Sequence, residues 1–186
     1  MKEVEAVTDK NMLAAIPVLL LKKGGQQFAD IWEFSLNVAL RISDTLSIKF
    51  SDIDNCMLNI RESKTRKDAS ILLNSKALEI VERIRAENPD DIYLFQSKNS
   101  NNRAKKEPKP LTRNPISQLL KQVGDILGIR LGTHSARKTR GYWLYKKTGD
   151  IVRVMKMLRH SSIAVTMRYI GLTQESIDND FRELVL

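Results

Sequence analysis

The sequence predicts a mainly α-helical domain with a small antiparallel β-sheet or hairpin, an α+β fold. Apolar residues recur at helical spacing in several stretches, such as Leu78, Ile80, Val81 and Ile84, or Ile116, Leu119, Leu120, Val123 and Leu127. One region, Met57 to Leu73, changes instead to short apolar runs on either side of a polar centre, the pattern of two strands and a turn. A chain of 186 residues is long enough for one sizeable core.

Residues 1–8 are polar and read as a linker or strap leading into a domain that occupies 9–186. Thr8 or Asp9 is placed to cap a helix through Leu21. Pro17 should kink that helix or split it in two, because proline has no N–H and its ring crowds the preceding turn. Lys22-Lys23-Gly24-Gly25 reads as the exit. A second helix follows from about Gln27 to Leu40, with Phe28, Ile31, Trp32, Phe34 and Leu36 on one broad buried face. The strands of Met57–Leu73 flank the polar turn Ser63-Lys64-Thr65-Arg66-Lys67-Asp68. Asn74 or Ser75 caps a helix to about Glu87, which Asn88-Pro89 ends, and Tyr93-Leu94-Phe95 is a short buried segment. Gln96 to Arg113 reads as a loop, with six basic residues against Glu107. Pro115 suits the first turn of a helix to about Leu127, ended by Gly128 or Gly132. Another helix runs from Ser135 to about Lys147, closed by Gly149, and Asp150 caps the next toward Arg159. Tyr142, Trp143 and Tyr145 are read as core or groove wall. The tail 172–186 begins an amphipathic stretch at Thr173 or Gln174, with Ile177, Phe181, Leu184 and Val185 on its apolar side.

Charge narrows the functional classes. The 31 Lys and Arg outweigh 22 Asp and Glu, giving a net +9 and a pI near 9.7. Between Arg130 and Tyr169 ten basic residues face one acid, Asp150. Such clustering favours a polyanion, with nucleic acid ahead of a merely solvated basic surface. Cys56 is the single cysteine, so no internal disulfide is possible, and with two distant histidines a structural zinc site is not expected. The longest apolar run, Met12 to Leu21, contains Pro17 and is too short to span a bilayer. The expected compartment is the cytoplasm, with no membrane partner.

The same basic stretch holds both histidines and a set of groups suited to phosphodiester chemistry. A phenol can act as nucleophile, guanidinium groups can hold non-bridging oxygens bidentately, and imidazoles can move protons. His134 and Arg137 are three apart, and Tyr169 follows His160 by nine residues, a plausible distance between two short helices. Earlier in the chain Arg41 lies between Leu40 and Ile42. Its pattern alone allows a surface arginine paired with Asp44 at i,i+3, or a guanidinium that seeks an anion.

These residues resemble the tyrosine recombinases, the phage-integrase type of site-specific DNA recombinase. The second box of that family reads His-x-x-Arg, then Leu-Gly-His, then a tyrosine nine residues on, and this chain has His134-Ser-Ala-Arg137, Leu158-Arg159-His160 and Tyr169. Arg159 stands where the family usually has glycine. The segment from Asn37 to Asp54 resembles the first box, with Arg41 on the catalytic arginine and Asp44 on the acidic position that helps fix it. Glu62-Ser63-Lys64-Thr65 resembles the turn that carries the catalytic lysine, with Arg66 in place of the usual glycine and Lys67 as a lesser candidate.

The resemblance covers roughly residues 10–180 and implies the tyrosine recombinase catalytic-domain fold, without the helical DNA-binding domain that usually precedes it. It implies that Tyr169 attacks a DNA phosphate to form a 3′-phosphotyrosyl link. Arg41 and Arg137 would cradle the transition state, Lys64 would protonate the leaving 5′ oxygen, His134 would assist proton transfer from the tyrosine, and His160 would hydrogen-bond the phosphate. No cofactor or metal is implied, because the phosphotyrosyl link conserves the bond energy. Double-stranded DNA is the implied partner, with Lys67, Lys105, Lys106, Arg140, Arg159 and Arg168 as candidate contacts. The loop around Lys105 and Lys106 is either plain disorder or a segment that orders on DNA. The tail either packs on its own domain or docks on a neighbouring protomer. A type IB topoisomerase, a non-catalytic DNA-binding module derived from a recombinase, and a basic RNA-binding protein are the rival readings.

Overall fold

In the computed structural model the described residues are 4–98, 107–172 and 174–185. Helix α1 spans Lys10–Gly24, capped by the Asp9 carboxylate, which accepts from the Met12 N–H at 2.8 Å. The helix continues through Pro17 and is not split there. Proline forfeits one intrahelical hydrogen bond, but Ile16 and Leu20 on either side are fully buried, and that burial holds the segment together. Helix α2 (Gln26–Val38) stops two residues short of Leu40, because Ala39 turns left-handed at φ 52° and its N–H bonds back to Ser35. Ile31, Trp32 and Phe34 of α2 are core residues, and Phe28 and Leu36 pack against that core at partial burial.

The backbone then forms a short helix not expected from the sequence, α3 (Ile42–Ser47), with Arg41 as its N-cap residue. A single 3-10 turn over Phe50–Asp52 leads into a three-stranded antiparallel sheet in the order β1 (Ile53–Asp54), β2 (Met57–Arg61), β3 (Asp68–Leu72). The β2–β3 register pairs Met57 with Leu72 and Arg61 with Asp68. Beyond the ladder the Glu62 N–H bonds to the Lys67 carbonyl and the Arg66 N–H to the Glu62 carbonyl. These bonds close a tight turn in which Arg66 takes φ 57°, and its side chain replaces the glycine that such a backbone favours.

Helix α4 (Ser75–Glu87) is capped by Asn74 and packs through Ala77, Ile80, Val81 and Ile84. Helix α5 (Arg113–Leu127) packs through Ile116, Leu120 and Val123 and ends at Gly128 in the left-handed conformation. Helix α6 (Ser135–Thr148) ends at Gly149, and Asp150 caps α7 (Ile151–Met157). Ser162 caps α8 (Ile163–Tyr169), and α9 spans Gln174–Glu183.

The main core joins α1, α2, α4 and α5 to the sheet, with Phe34 meeting Phe95 edge-on at 5.7 Å. A second, smaller cluster gathers Ala39, Val154, Leu158 and Ile170, flanked by Tyr142 and Tyr145. The N-terminal segment is a docked strap. Its Val7 is buried, the Val7 N–H donates to Thr139 Oγ1 at 2.8 Å, and the Val7 carbonyl accepts from Trp143 Nε1 at 3.1 Å. Phe181, Leu184 and Val185 of the tail are largely exposed, so these three do not pack on their own domain. Among the described residues no helix is long and apolar enough to cross a membrane.

Candidate active site

The site forms where the two clusters meet, around Glu62. Leu58 and Ile60 of β2 turn to the inside, and Glu62, one residue past the strand, continues that alternation with a carboxylate that has no exposure at all. Glu62 Oε2 accepts from Arg41 Nη1 at 2.9 Å and from Thr65 Oγ1 at 2.6 Å. Its Oε1 accepts from Arg159 Nε at 2.8 Å, with Arg137 Nη1 3.8 Å away. Burial alone would push the Glu62 pKa up. The hydrogen bonds from Thr65 and Arg159, the Arg159 charge and the Arg41 bond outweigh it, holding the pKa at about 2. Glu62 is therefore ionised at neutral pH.

Arg137 sits in the first turn of α6 and is 2% exposed. Its guanidinium donates to the Ala39 carbonyl at 2.7 Å and to the Leu158 carbonyl. One side chain thus ties the end of α2 to the end of α7. Burial, with Arg41 and Arg159 nearby and Tyr169 and Glu62 opposing them, brings its pKa down to about 10, so it stays charged.

Arg41 does not pair with Asp44. As the N-cap residue of α3 it has extended backbone, and its side chain goes to Glu62 across the turn. Asp44, buried in the first turn of α3, instead accepts from the Ser63 N–H at 2.9 Å and the Ser63 hydroxyl at 2.6 Å. It anchors the root of the β2–β3 turn. Lys64, the next residue, is exposed at that turn, as is Lys67. The structure brings the backbone of this turn to the site and leaves the Lys64 ammonium outside the arginine cluster.

His134 is the N-cap residue of α6, and its Nδ1 lies 3.3 Å from the Tyr169 hydroxyl. Tyr169 ends α8, with the His160 ring edge-on at 5.0 Å. His160 Nδ1 is 3.2 Å from Thr166 Oγ1, whose own proton goes to the Ser162 carbonyl at 2.9 Å, so His160 Nδ1 is the donor. Burial, then the charges of Arg137 and Arg41, bring the His160 pKa down to about 4. Burial and the charges of Arg113, Arg137 and Lys138 also lower His134. Both imidazoles are neutral at pH 7, and His134 is able to accept a proton from the phenol beside it.

Five of the six expected catalytic side chains, Arg41, His134, Arg137, His160 and Tyr169, thus converge. Arg159, expected as a DNA contact, is instead part of the arginine cluster, at φ 52° and 17% exposed. Arg140 is half-buried on α6, and burial lowers its pKa. Arg168 is exposed beside Tyr169, and Lys105 and Lys106 lie outside the described residues. Sequence reasoning missed two residues. Glu62 is the hub, signalled only by alternation along β2. Lys138 is buried with its ammonium 5.1 Å over the Tyr169 ring, signalled only by its place next to Arg137. A cleft of about 710 Å³ opens beside Tyr169 and His134, and Arg113, Lys121, Lys138 and Arg168 line it with positive charge.

Comparison with known proteins gives the family and the fold. The Phage integrase family matches residues 11–176, and the chain belongs to that family. A probable integrase/recombinase, YoeC of Bacillus subtilis, is 31% identical over 93% of this chain and 92% of its own length. The tyrosine recombinase XerA of Pyrococcus furiosus is 28% identical over 74% of this chain, and the match spans only 48% of that relative. Among solved structures, XerA recombinase superposes with a TM-score of 0.72 at 17% identity, covering 98% of this chain and 65% of that one. A lambda integrase dimer bound to a COC′ core site gives 0.70 at 18% identity, covering 92% and 61%.

The lowered pKa of the half-buried His160 makes stability depend on pH. Unfolded His160 takes up a proton near pH 6.5 and folded His160 only near 4, so acid favours the unfolded chain. The stability that His160 contributes is fully present above about pH 6.5 and is lost as pH falls from there toward 4. Melting temperatures across this window should fall more steeply for the wild type than for His160→Gln. Parallel curves would show that His160 is not held neutral by its surroundings.

Proposed function

We propose that this chain is the catalytic domain of a site-specific DNA recombinase that cleaves and rejoins strands through a 3′-phosphotyrosyl intermediate. The observation that carries the reading is the phenol of Tyr169 set 3.3 Å from a neutral imidazole, at the edge of a cluster of three guanidinium groups. Tyr169 Oη attacks the phosphorus and passes its proton to His134, and the P–O5′ bond breaks. Charge building on the non-bridging oxygens is met by Arg41 and Arg137, both fixed before substrate arrives, so little reorganisation is needed. With Nδ1 committed to Thr166, His160 donates to a phosphate oxygen through Nε2 only as the imidazolium, and an arriving phosphate raises its pKa toward that form. Lys64 reaches in from its turn to protonate the leaving 5′ oxygen. A 5′ hydroxyl attacking the phosphotyrosine reverses these steps and returns the proton to Tyr169.

The partner is duplex DNA, held by the basic cleft beside Tyr169, with Lys67, Lys105, Lys106, Arg140 and Arg168 as further candidate contacts. Similar folds have been solved on DNA, including XerH bound to a palindromic difH substrate after cleavage. The exposed apolar side chains of α9 and the residues after it serve self-association on DNA.

The test is a suicide DNA substrate drawn from sequence flanking the gene, with denaturing electrophoresis of wild type and Tyr169→Phe. Wild type should give a covalent band on the 3′-phosphate side, and the variant should give none while binding the DNA equally well. Binding without any adduct in wild type would point to a non-catalytic DNA-binding module. Replacing Phe181 and Leu184 by Asp should leave single-site binding intact and remove the higher-order complex in native gels. Unchanged assembly would exclude the tail from it.

A further inference from the structure

Arg159 occupies a position where the family wording has glycine, and its backbone shows why glycine suits the place. Its φ of 52° is in the left-handed region, which a side chain enters only at a cost. In this chain the turn is kept and carries a guanidinium that folds inward. Its Nε is 2.8 Å from Glu62 Oε1, its Nη1 is 3.2 Å from the Met157 carbonyl, and its Nη2 is enclosed without a hydrogen-bond partner. The opposite oxygen of Glu62 holds Arg41 at 2.9 Å.

Glu62 thus stands between two arginines, with a third 3.8 Å away. A buried carboxylate so close to a phosphate-binding arginine works in two directions. It orients Arg41, and it also offsets the Arg41 charge and repels an incoming phosphate. A second cation on its far oxygen cancels the repulsion and leaves the orientation. Three guanidinium groups and one carboxylate leave the cluster with a surplus of positive charge.

Resting on the recombinase reading above, we propose that Arg159 is a positioning residue for strand cleavage. It neutralises Glu62 so that the carboxylate holds Arg41 in place without cancelling the charge that Arg41 and Arg137 present to the phosphate. The left-handed turn at Arg159 directs the guanidinium back toward the end of β2. Residues 62 and 159 therefore act as one unit, and their effects on the reaction depend on each other.

The experiment compares wild type, Arg159→Gly, Arg159→Lys, Glu62→Gln and the double variant Glu62→Gln/Arg159→Gly. Single-turnover adduct formation on the suicide substrate and affinity for the same duplex are read for each, with melting temperature as the folding control. Glycine fits the backbone at 159, so Arg159→Gly should fold. It should slow cleavage by about 10- to 100-fold, less than loss of a direct oxyanion donor. Arg159→Lys, which keeps the charge, should recover most of that loss. In the Glu62→Gln background the same glycine substitution should cost no more than about threefold, because no carboxylate remains to be neutralised.

A wild-type rate for Arg159→Gly would overturn the proposal. So would an equal loss in both backgrounds, which would make Arg159 either a direct phosphate contact or part of the fold. Should wild type form no adduct, the recombinase reading fails by itself, and duplex affinity still decides the coupling. A loss of duplex affinity in Arg159→Gly that Glu62→Gln suppresses supports the proposal there, and no loss, or an unsuppressed one, overturns it.

Discussion

A single buried carboxylate organises the site. Glu62 is ionised inside the protein only because Thr65, Arg41 and Arg159 bond to it and Arg137 lies beside it. The dependence is mutual. Arg41 comes from the N-terminus of α3, Arg159 from the turn after α7, and Glu62 from the end of β2, so three separate parts of the chain are registered on one group. Removing the carboxylate leaves a cluster of like charges, and removing the arginines leaves an unpaired buried anion.

Around that hub the fold supplies rigidity. Arg137 is held by two backbone carbonyls, one at the left-handed end of α2 and one at the end of α7, so neither can shift without breaking a charge-assisted bond. The N-terminal strap fastens the other side of α6 through Thr139 and Trp143. The result is a preformed surplus of positive charge next to two neutral imidazoles and a phenol. That arrangement suits a reaction in which negative charge builds on phosphate oxygens and a single proton leaves the tyrosine. Lys64 stands apart from the arginine cluster, exposed on a turn that Asp44 anchors at its root.

Much of the fold was legible because helical spacing, caps and glycine stops are local signals. Asn74, Asp150, Gly128 and Gly149 all act where the sequence placed them. The sequence was misleading where tertiary packing overrode a local rule. Pro17 lies inside an unbroken helix because Ile16 and Leu20 are sealed in the core, and α2 ends early because Ala39 turns left-handed. The site was legible as a set of residue types in order, and the convergence of Arg41, His134, Arg137, His160 and Tyr169 fits that order. Its wiring was not legible. The i,i+3 spacing of Arg41 and Asp44 suggested a pair, but Arg41 is an N-cap residue with extended backbone, and the two side chains bond to different parts of the β2–β3 turn. Glu62 was hidden because a carboxylate at the end of a strand ordinarily marks a solvated turn, and nothing local says that three arginines from distant segments will enclose it.

The most direct measurement is to trap the protein on a nicked DNA substrate, digest the complex and locate the modified residue by tandem mass spectrometry. The account predicts a phosphodeoxynucleotide on the peptide containing Tyr169, with Tyr93, Tyr142 and Tyr145 unmodified. A linkage to any other residue would contradict the assignment of the nucleophile and with it the role given to the Glu62 cluster.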